Sequence, residues 1–263
     1  LSNIVFSWFI VDATGKQQAH GKFEPRPLAL GRNSSVGTVQ CDLSKLPAPG
    51  AYRLIVSTDT KANSYQVTTS AAENEWNFWI YPSVVAADAP TDVLVTSSWR
   101  EAETKLAAGG KVLFLPRPAD LDWSSPPLDN VPIFWNRLMN PQWGRMLGLW
   151  CDTNHPALAG FPTEAHCDWQ WTQLTKGTRA VNIGALPREL KPIVAAIDDW
   201  NRNWKLAPIF ELGVGSGKLL VCSFDLTTNL DERVVARQLR RSLLDYMASD
   251  KFRPAVAVAP EQI

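Results

Sequence analysis

Cys151, in Gly148-Leu149-Trp150-Cys151-Asp152, is followed closely by His155, Glu164 and His166. A thiol nucleophile, an imidazole base and a carboxylate that orients the base are the residue types of a cysteine hydrolase or amidotransferase. The context for that chemistry is missing. No glycine follows Cys151 to build a sharp strand-to-helix elbow, and free cysteines are ordinarily small buried apolar residues. An autonomous cysteine enzyme is therefore the alternative here, not the leading reading. The same stretch offers His155, Glu164, His166, Cys167 and Asp168 as metal donors, but a helical His-x-x-x-His is absent, the order is Glu-x-His, and the chain has only 3 histidines. His155 and His166 are expected as hydrogen-bonded loop residues, with no metal and no cofactor.

Gly213-Val214-Gly215-Ser216-Gly217-Lys218 has the glycines and lysine of a phosphate cradle. Its spacing is wrong for a P-loop, because Leu212 stands at the required first position and Leu219 follows the lysine. A hairpin turn is expected instead. Glycoside hydrolysis needs two carboxyl groups facing each other across a sugar. Glu164 with Asp168, or Asp198 with Asp199, can be nominated by type, but adjacent acids on a helix usually form a solvated face, and no catalytic pair is singled out.

Tryptophan is the chief oddity, with 12 in the chain, among them Trp123, Trp135, Trp143, Trp150, Trp169 and Trp171 between about 116 and 180. Indole faces beside polar side chains suit sugar rings, whose apolar faces stack while their hydroxyls take polar partners. The candidate carbohydrate contacts are His155, Glu164, His166, Asp168, Trp169 and Trp171, with loop or interdomain packing the competing role for the two tryptophans. Trp200 and Trp204 follow a core stripe and are expected to pack.

The elements that must position these residues differ between the halves. Residues 1–85 read as short strands, Ile4–Val11, Ser35–Asp42, Tyr52–Ser57 and Trp76–Tyr81, punctuated by turn chemistry. That pattern predicts an all-β immunoglobulin-like sandwich. From residue 86 onward, strands and helices alternate. Asp92–Thr96 is a strand, Ser98 caps a helix to about Ala108, Gly109-Gly110 ends it, and Lys111–Leu115 is the next strand. Leu190, Ile193, Val194, Ile197, Trp200 and Trp204 recur at helical spacing. A hairpin of Ile209–Leu212 and Leu219–Cys222 follows, then a helix from about Asp231 to Ala248 burying Val235, Leu239, Leu243 and Tyr246. Such alternation predicts an open α/β sheet over residues 86–263. The irregular, Pro- and Trp-rich stretch between about 116 and 180 is the expected place for a site.

At 263 residues the length suits two domains at roughly 100–200 residues each. Apolar residues are 45% and charged residues 20%, which excludes a disordered or coiled-coil chain. Lys plus Arg and Asp plus Glu are both 26, for a net charge of zero, so a general nucleic-acid or anionic-membrane surface is not expected. No apolar run is long enough to span a bilayer. The opening strand pattern at Leu1 reads as a processed chain or a piece of a longer one. The 4 cysteines contain no C-x-x-C pair and leave the compartment open.

Several segments together resemble the C-terminal region of bacterial glycosidases of the glycoside hydrolase family 2, β-galactosidase-like group. They are Asn77-Phe78-Trp79-Ile80-Tyr81-Pro82, the run from His155 to Glu164, Asp168-Trp169-Gln170-Trp171, Asp198-Asp199-Trp200-Asn201-Arg202-Asn203, Gly217 to Ser223, and Arg237 to Met247. The resemblance implies a β-sandwich followed by a flavodoxin-like domain of the class I glutamine-amidotransferase-like type, placed after a catalytic (β/α)₈ barrel that carries the catalytic glutamates. The barrel is not in these residues. Phe224-Asp225-Leu226 stands where active amidotransferase-like domains have a His-Pro-Glu type sequence, so the chain departs from the glutaminase pattern. The expectation is a non-catalytic accessory region of a glycosidase. Its partners would be the barrel of the same parent chain and an oligosaccharide, with no nucleic acid and no membrane, oligomerisation left open, and a periplasmic or extracellular location implied by the resemblance alone. A stand-alone carbohydrate-binding module is a further alternative.

Overall fold

The computed structural model describes residues 4–28, 31, 33–58, 72–86, 88–128, 146–199 and 202–262. The chain divides into two compact units, Leu1–Pro82 and Ser83–Ile263.

In the first unit, β1 (Phe6–Asp12), β2 (Gln17–Lys22), β3 (Gly50–Thr58) and β4 (Glu73–Ile80) form one antiparallel sheet in the order β2-β1-β3-β4. Asp12 ends β1 by accepting from the Thr14 and Lys16 N–H groups at 2.9 and 3.0 Å, and Gly15 takes the left-handed conformation that reverses the chain. Tyr52 anchors β3, stacking on Phe78 at 5.7 Å and donating to the Pro47 carbonyl at 2.6 Å. Among the described residues there is no second sheet, so the immunoglobulin-like sandwich is corrected to a single four-stranded sheet. The strand expected at Ser35–Asp42 is irregular. Only the turn Leu43–Lys45 follows, with Asp42 accepting from the Ser44 N–H. Side-chain hydrogen bonds from Asp and Ser favour a turn over a ladder at that point.

The second unit holds an eight-stranded mixed sheet. Its main path runs β5 (Val93–Thr96), β6 (Lys111–Phe114), β11 (Gly217–Cys222), β10 (Leu206–Val214), β9 (Val194–Asp198), β7 (Met146–Cys151), while β8 (Val181–Asn182) and β12 (Ala257–Val258) pair with β10. β5, β6 and β11 are mutually parallel, and β11, β10, β9 and β7 alternate in direction. A flavodoxin-like sheet is parallel, with crossover helices between successive strands. Here the tight β10–β11 hairpin and an antiparallel β9–β7 edge replace those crossovers, so the flavodoxin-like, amidotransferase-like expectation is also corrected.

The helix expected from Leu190 to Trp204 is instead strand β9. Val194, Ala196 and Asp198 alternate inward while Ile197 stays exposed, and both neighbours pair with it. Val, Ile and Ala fit either period over so short a run, and β-branched residues pack well on a pleat, so neighbouring strands decide.

α1 (Trp99–Ala107) is capped by Ser98 and ends at left-handed Gly109. It packs Ala102 and Leu106 against Val112, Leu212, Leu219 and Val221. α3 (Val234–Ala248), which follows the short α2 (Thr172–Thr175), buries Leu239, Leu243, Tyr246 and Met247, whereas Val235 is only half-buried. Tyr246 reaches Glu211, one pleat step from Phe210 and Leu212, which belong to the α1 cluster. Alternation along β10 therefore puts the two long helices on opposite faces of the sheet.

Candidate functional site

β7 is the last strand on the main path, and the chain returns to extend it. After a turn and the short helical segment Pro156–Leu158, residues 165–167 run antiparallel beside it. The Cys151 N–H donates to the Ala165 carbonyl at 2.8 Å, Trp150 bridges His166, and the Cys167 N–H donates to the Leu149 carbonyl at 3.3 Å. Leu149 and Cys151 point inward, each 1% exposed, so the intervening Trp150 points outward and is 46% exposed. On its other side Trp150 registers with Ala195, and Gly148 registers with the exposed Ile197. The outer face thus presents His166, Trp150, Ala195 and Ile197 across the returning segment, β7 and β9.

The six residues nominated from sequence scatter over different environments. Glu164 and His166 are exposed on the returning segment, and Trp169, 63% exposed, opens the helical turn Trp169–Trp171 that follows it. Asp168 caps that turn through the Trp169 N–H. Trp171 is fully buried. It donates from Nε1 to Thr163 Oγ1 at 2.9 Å and packs against Phe161 and Phe224, so its nomination as a sugar contact is corrected to a core role. Trp123 is exposed and lies edge-on to Trp204, itself under the Arg202 guanidinium at 4.7 Å. Trp135, Trp143 and Trp200 lie outside the described residues.

His155 belongs to a second constellation, on the α3 side of the sheet. Its Nδ1 accepts from the Ala157 N–H at 3.3 Å, which leaves the ring proton on Nε2, 4.0 Å from Glu211 Oε1. Tyr246 donates to Glu211 Oε2 at 2.8 Å, and its ring meets the His155 ring edge-on at 5.2 Å. Burial lowers the His155 pKa, opposed by Asp152, and it raises those of Glu211 and Tyr246, with the Tyr246 hydrogen bond and then Lys218 drawing Glu211 partly back. The arrangement favours a neutral imidazole beside a carboxyl group held toward its protonated form. It ties the Pro156–Leu158 turn, β10 and α3 together. Sequence reading missed Glu211 and Tyr246. The available signal was an acid interrupting the apolar run Ile209-Phe210-Leu212, since charge inside a core strand requires a partner.

The remaining chemical candidates are committed elsewhere. Burial pushes the Cys151 thiol up to about 12, aided by Cys167 and opposed by a Thr163 hydrogen bond, which suppresses the thiolate a nucleophile needs. Asp198 and Asp199 are not on a solvated helix face. Asp198 is buried, bonded to the Arg202 guanidinium and to the Trp204 N–H, and Asp199 accepts from the Arg202 N–H at 3.2 Å. Gly215 and Ser216 turn the β10–β11 hairpin, and Lys218 donates to the Phe252 carbonyl at 2.9 Å. Among the described residues no three His, Cys, Asp or Glu side chains converge as a metal site, and no helix is long and apolar enough to cross a membrane.

Residues 94–263 match the family described as Domain of unknown function (DUF8487), and residues 1–82 match Domain of unknown function (DUF8488). No curated protein matches the chain.

Proposed function

The chain belongs to the DUF8487 family, whose description names no activity, and from the geometry above we propose that it is a non-catalytic, carbohydrate-contacting accessory region of a larger glycosidase. The observation that carries this reading is the outer face of β7, where the exposed indole of Trp150 is bridged to exposed His166 on the neighbouring segment. An indole face stacks on the apolar face of a pyranose, and imidazole, carboxylate and backbone groups at the rim hydrogen-bond its hydroxyls. Glu164 on the returning segment and Trp169 at the start of the turn that follows it flank His166 in sequence, are both exposed, and extend the rim in this reading. The segments that resemble family 2 glycosidases support the assignment to that enzyme class, with the catalytic barrel of the same parent chain as the partner. The buried Cys151 thiol counts against an autonomous cysteine enzyme.

Titrating the chain with a panel of oligosaccharides while following tryptophan fluorescence tests the reading. A saturable change is expected, weakened about tenfold in Trp150→Ala, the factor that corresponds to about 1.4 kcal/mol of lost stacking. Silence across the panel, or equal affinity in Trp150→Ala, overturns the contact role. The same chain is expected to hydrolyse no aryl glycoside, and hydrolysis abolished by Glu164→Gln or Asp168→Asn would overturn the non-catalytic assignment.

A further inference from the structure

The parallel strands β5, β6 and β11 end side by side at Thr96, Phe114 and Cys222. The chain leaving those ends, together with residues 176–178, walls a crevice of about 670 Å³. It lies across the sheet from β7, since β5, β6 and β11 occupy the opposite end of the strand order. Ser223, the first residue past β11, lines it. This serine is 2% exposed and its hydroxyl has no hydrogen-bond partner among the described residues. Ser223 continues the pleat of Leu219 and Val221, which line an adjoining cavity sharing Ser97, Pro116 and Arg117 with the crevice.

The other polar groups of the wall define what is missing. Thr96 Oγ1 donates to Glu101, Thr178 Oγ1 to the Thr175 carbonyl and Thr227 Oγ1 to Asp225. With their protons engaged, the Thr178 and Thr227 oxygens retain lone pairs and act as acceptors, while Thr96 Oγ1 already accepts from the Ser98 N–H at 3.0 Å. Two of the charged groups are neutralised, Arg117 by Asp120 and Asp225 by Arg233. Lys176 is the lining charge that has no ion-pair partner among the described residues. A complementary ligand therefore donates several O–H bonds and carries one negative charge.

We propose that this crevice binds a small polyhydroxylated monocarboxylate, with Lys176 supplying the counter-charge, Ser223 a hydroxyl donor, and the Thr178 and Thr227 oxygens the acceptors for ligand hydroxyls. The proposal does not depend on the β7 face, and its test uses different ligands and different residues.

Calorimetric titration of the full chain with gluconate, sorbitol and inorganic phosphate separates the contributions. Gluconate is expected to bind saturably, with sorbitol lacking the charge and phosphate lacking the hydroxyl array each weaker by about tenfold or more. Lys176→Met is expected to weaken gluconate about tenfold while leaving sorbitol unchanged. Ser223→Ala is expected to weaken gluconate several-fold yet raise the Tm of the unliganded chain, because it removes an unpaired buried hydroxyl. Lys176 is exposed, so its substitution does not threaten folding. Absence of saturable gluconate binding, phosphate or sorbitol binding as tightly as gluconate, or gluconate affinity unchanged by either substitution would overturn the proposal.

Discussion

His155 and Glu211 face each other with opposite titration behaviour, and the pH dependence of stability follows from the signs. Burial holds the His155 pKa below the ordinary 6.5, so the unfolded chain takes up that proton first, and stability falls as the pH drops below 6.5 through the folded value. Glu211 is raised above 4.5, so the folded chain holds its proton longer, and the stability from protonated Glu211 is lost as the pH rises from 4.5 through the folded value. The two contributions oppose each other on acidification. Urea midpoints between pH 7 and pH 4.5 are therefore expected to fall more steeply in Glu211→Gln than in the parent. In His155→Gln the slope is expected to flatten or reverse, and parallel profiles in all three proteins would refute this pairing. At this scale, residue type and neighbourhood nominate His155, Glu164, His166 and Trp169 together, whereas folding places His155 with Glu211 and Tyr246, apart from the other three. Trp169 and Trp171, two residues apart, were indistinguishable until the helical turn put one outside and the other against Phe161 and Phe224.

Among the elements, α1 and its neighbouring strands were readable because every local signal agreed. Ser98 caps, Gly109 supplies the left-handed turn, and the flanking apolar runs are four-residue strands. Close packing adds a constraint that no periodicity records. A Cβ at Gly217, the first residue of β11, would lie 2.6 Å from the Leu106 carbonyl oxygen and 2.7 Å from its Cα, so backbone rather than a flexible side chain stands in the way. Gly217→Ala is expected to destabilise the chain by about 1–3 kcal/mol, seen as a lower denaturant midpoint at constant m. An unchanged midpoint would mean that α1 yields without cost. β9 shows the opposite case, where local signals fit two periods and the register offered by β7 and β10 chose the strand.

For the molecule as a whole, the core is unevenly divided. The first unit buries Ile4, Ser7, Ile10, Val11, Tyr52 and Thr58 among its described residues, while the second holds helices on both faces of its large sheet. A single sheet with so few buried residues is marginal on its own. Residues 83–263 produced alone are expected to melt in one cooperative transition by circular dichroism, and residues 1–82 alone to melt at a lower temperature. A higher melting temperature for the smaller piece would contradict this division of the core. Composition and punctuation alone were enough for a folded two-part chain, strand-rich first and helix-containing second, because turn residues and apolar content act locally and need no partner to be read. Strand order, the antiparallel edge at β7, the meeting of His155 with Glu211 and Tyr246, and the unpaired hydroxyl of Ser223 depend on contacts between residues tens of positions apart. Such contacts are set by which apolar faces find one another on folding, and that information is not carried by the spacing along any one segment.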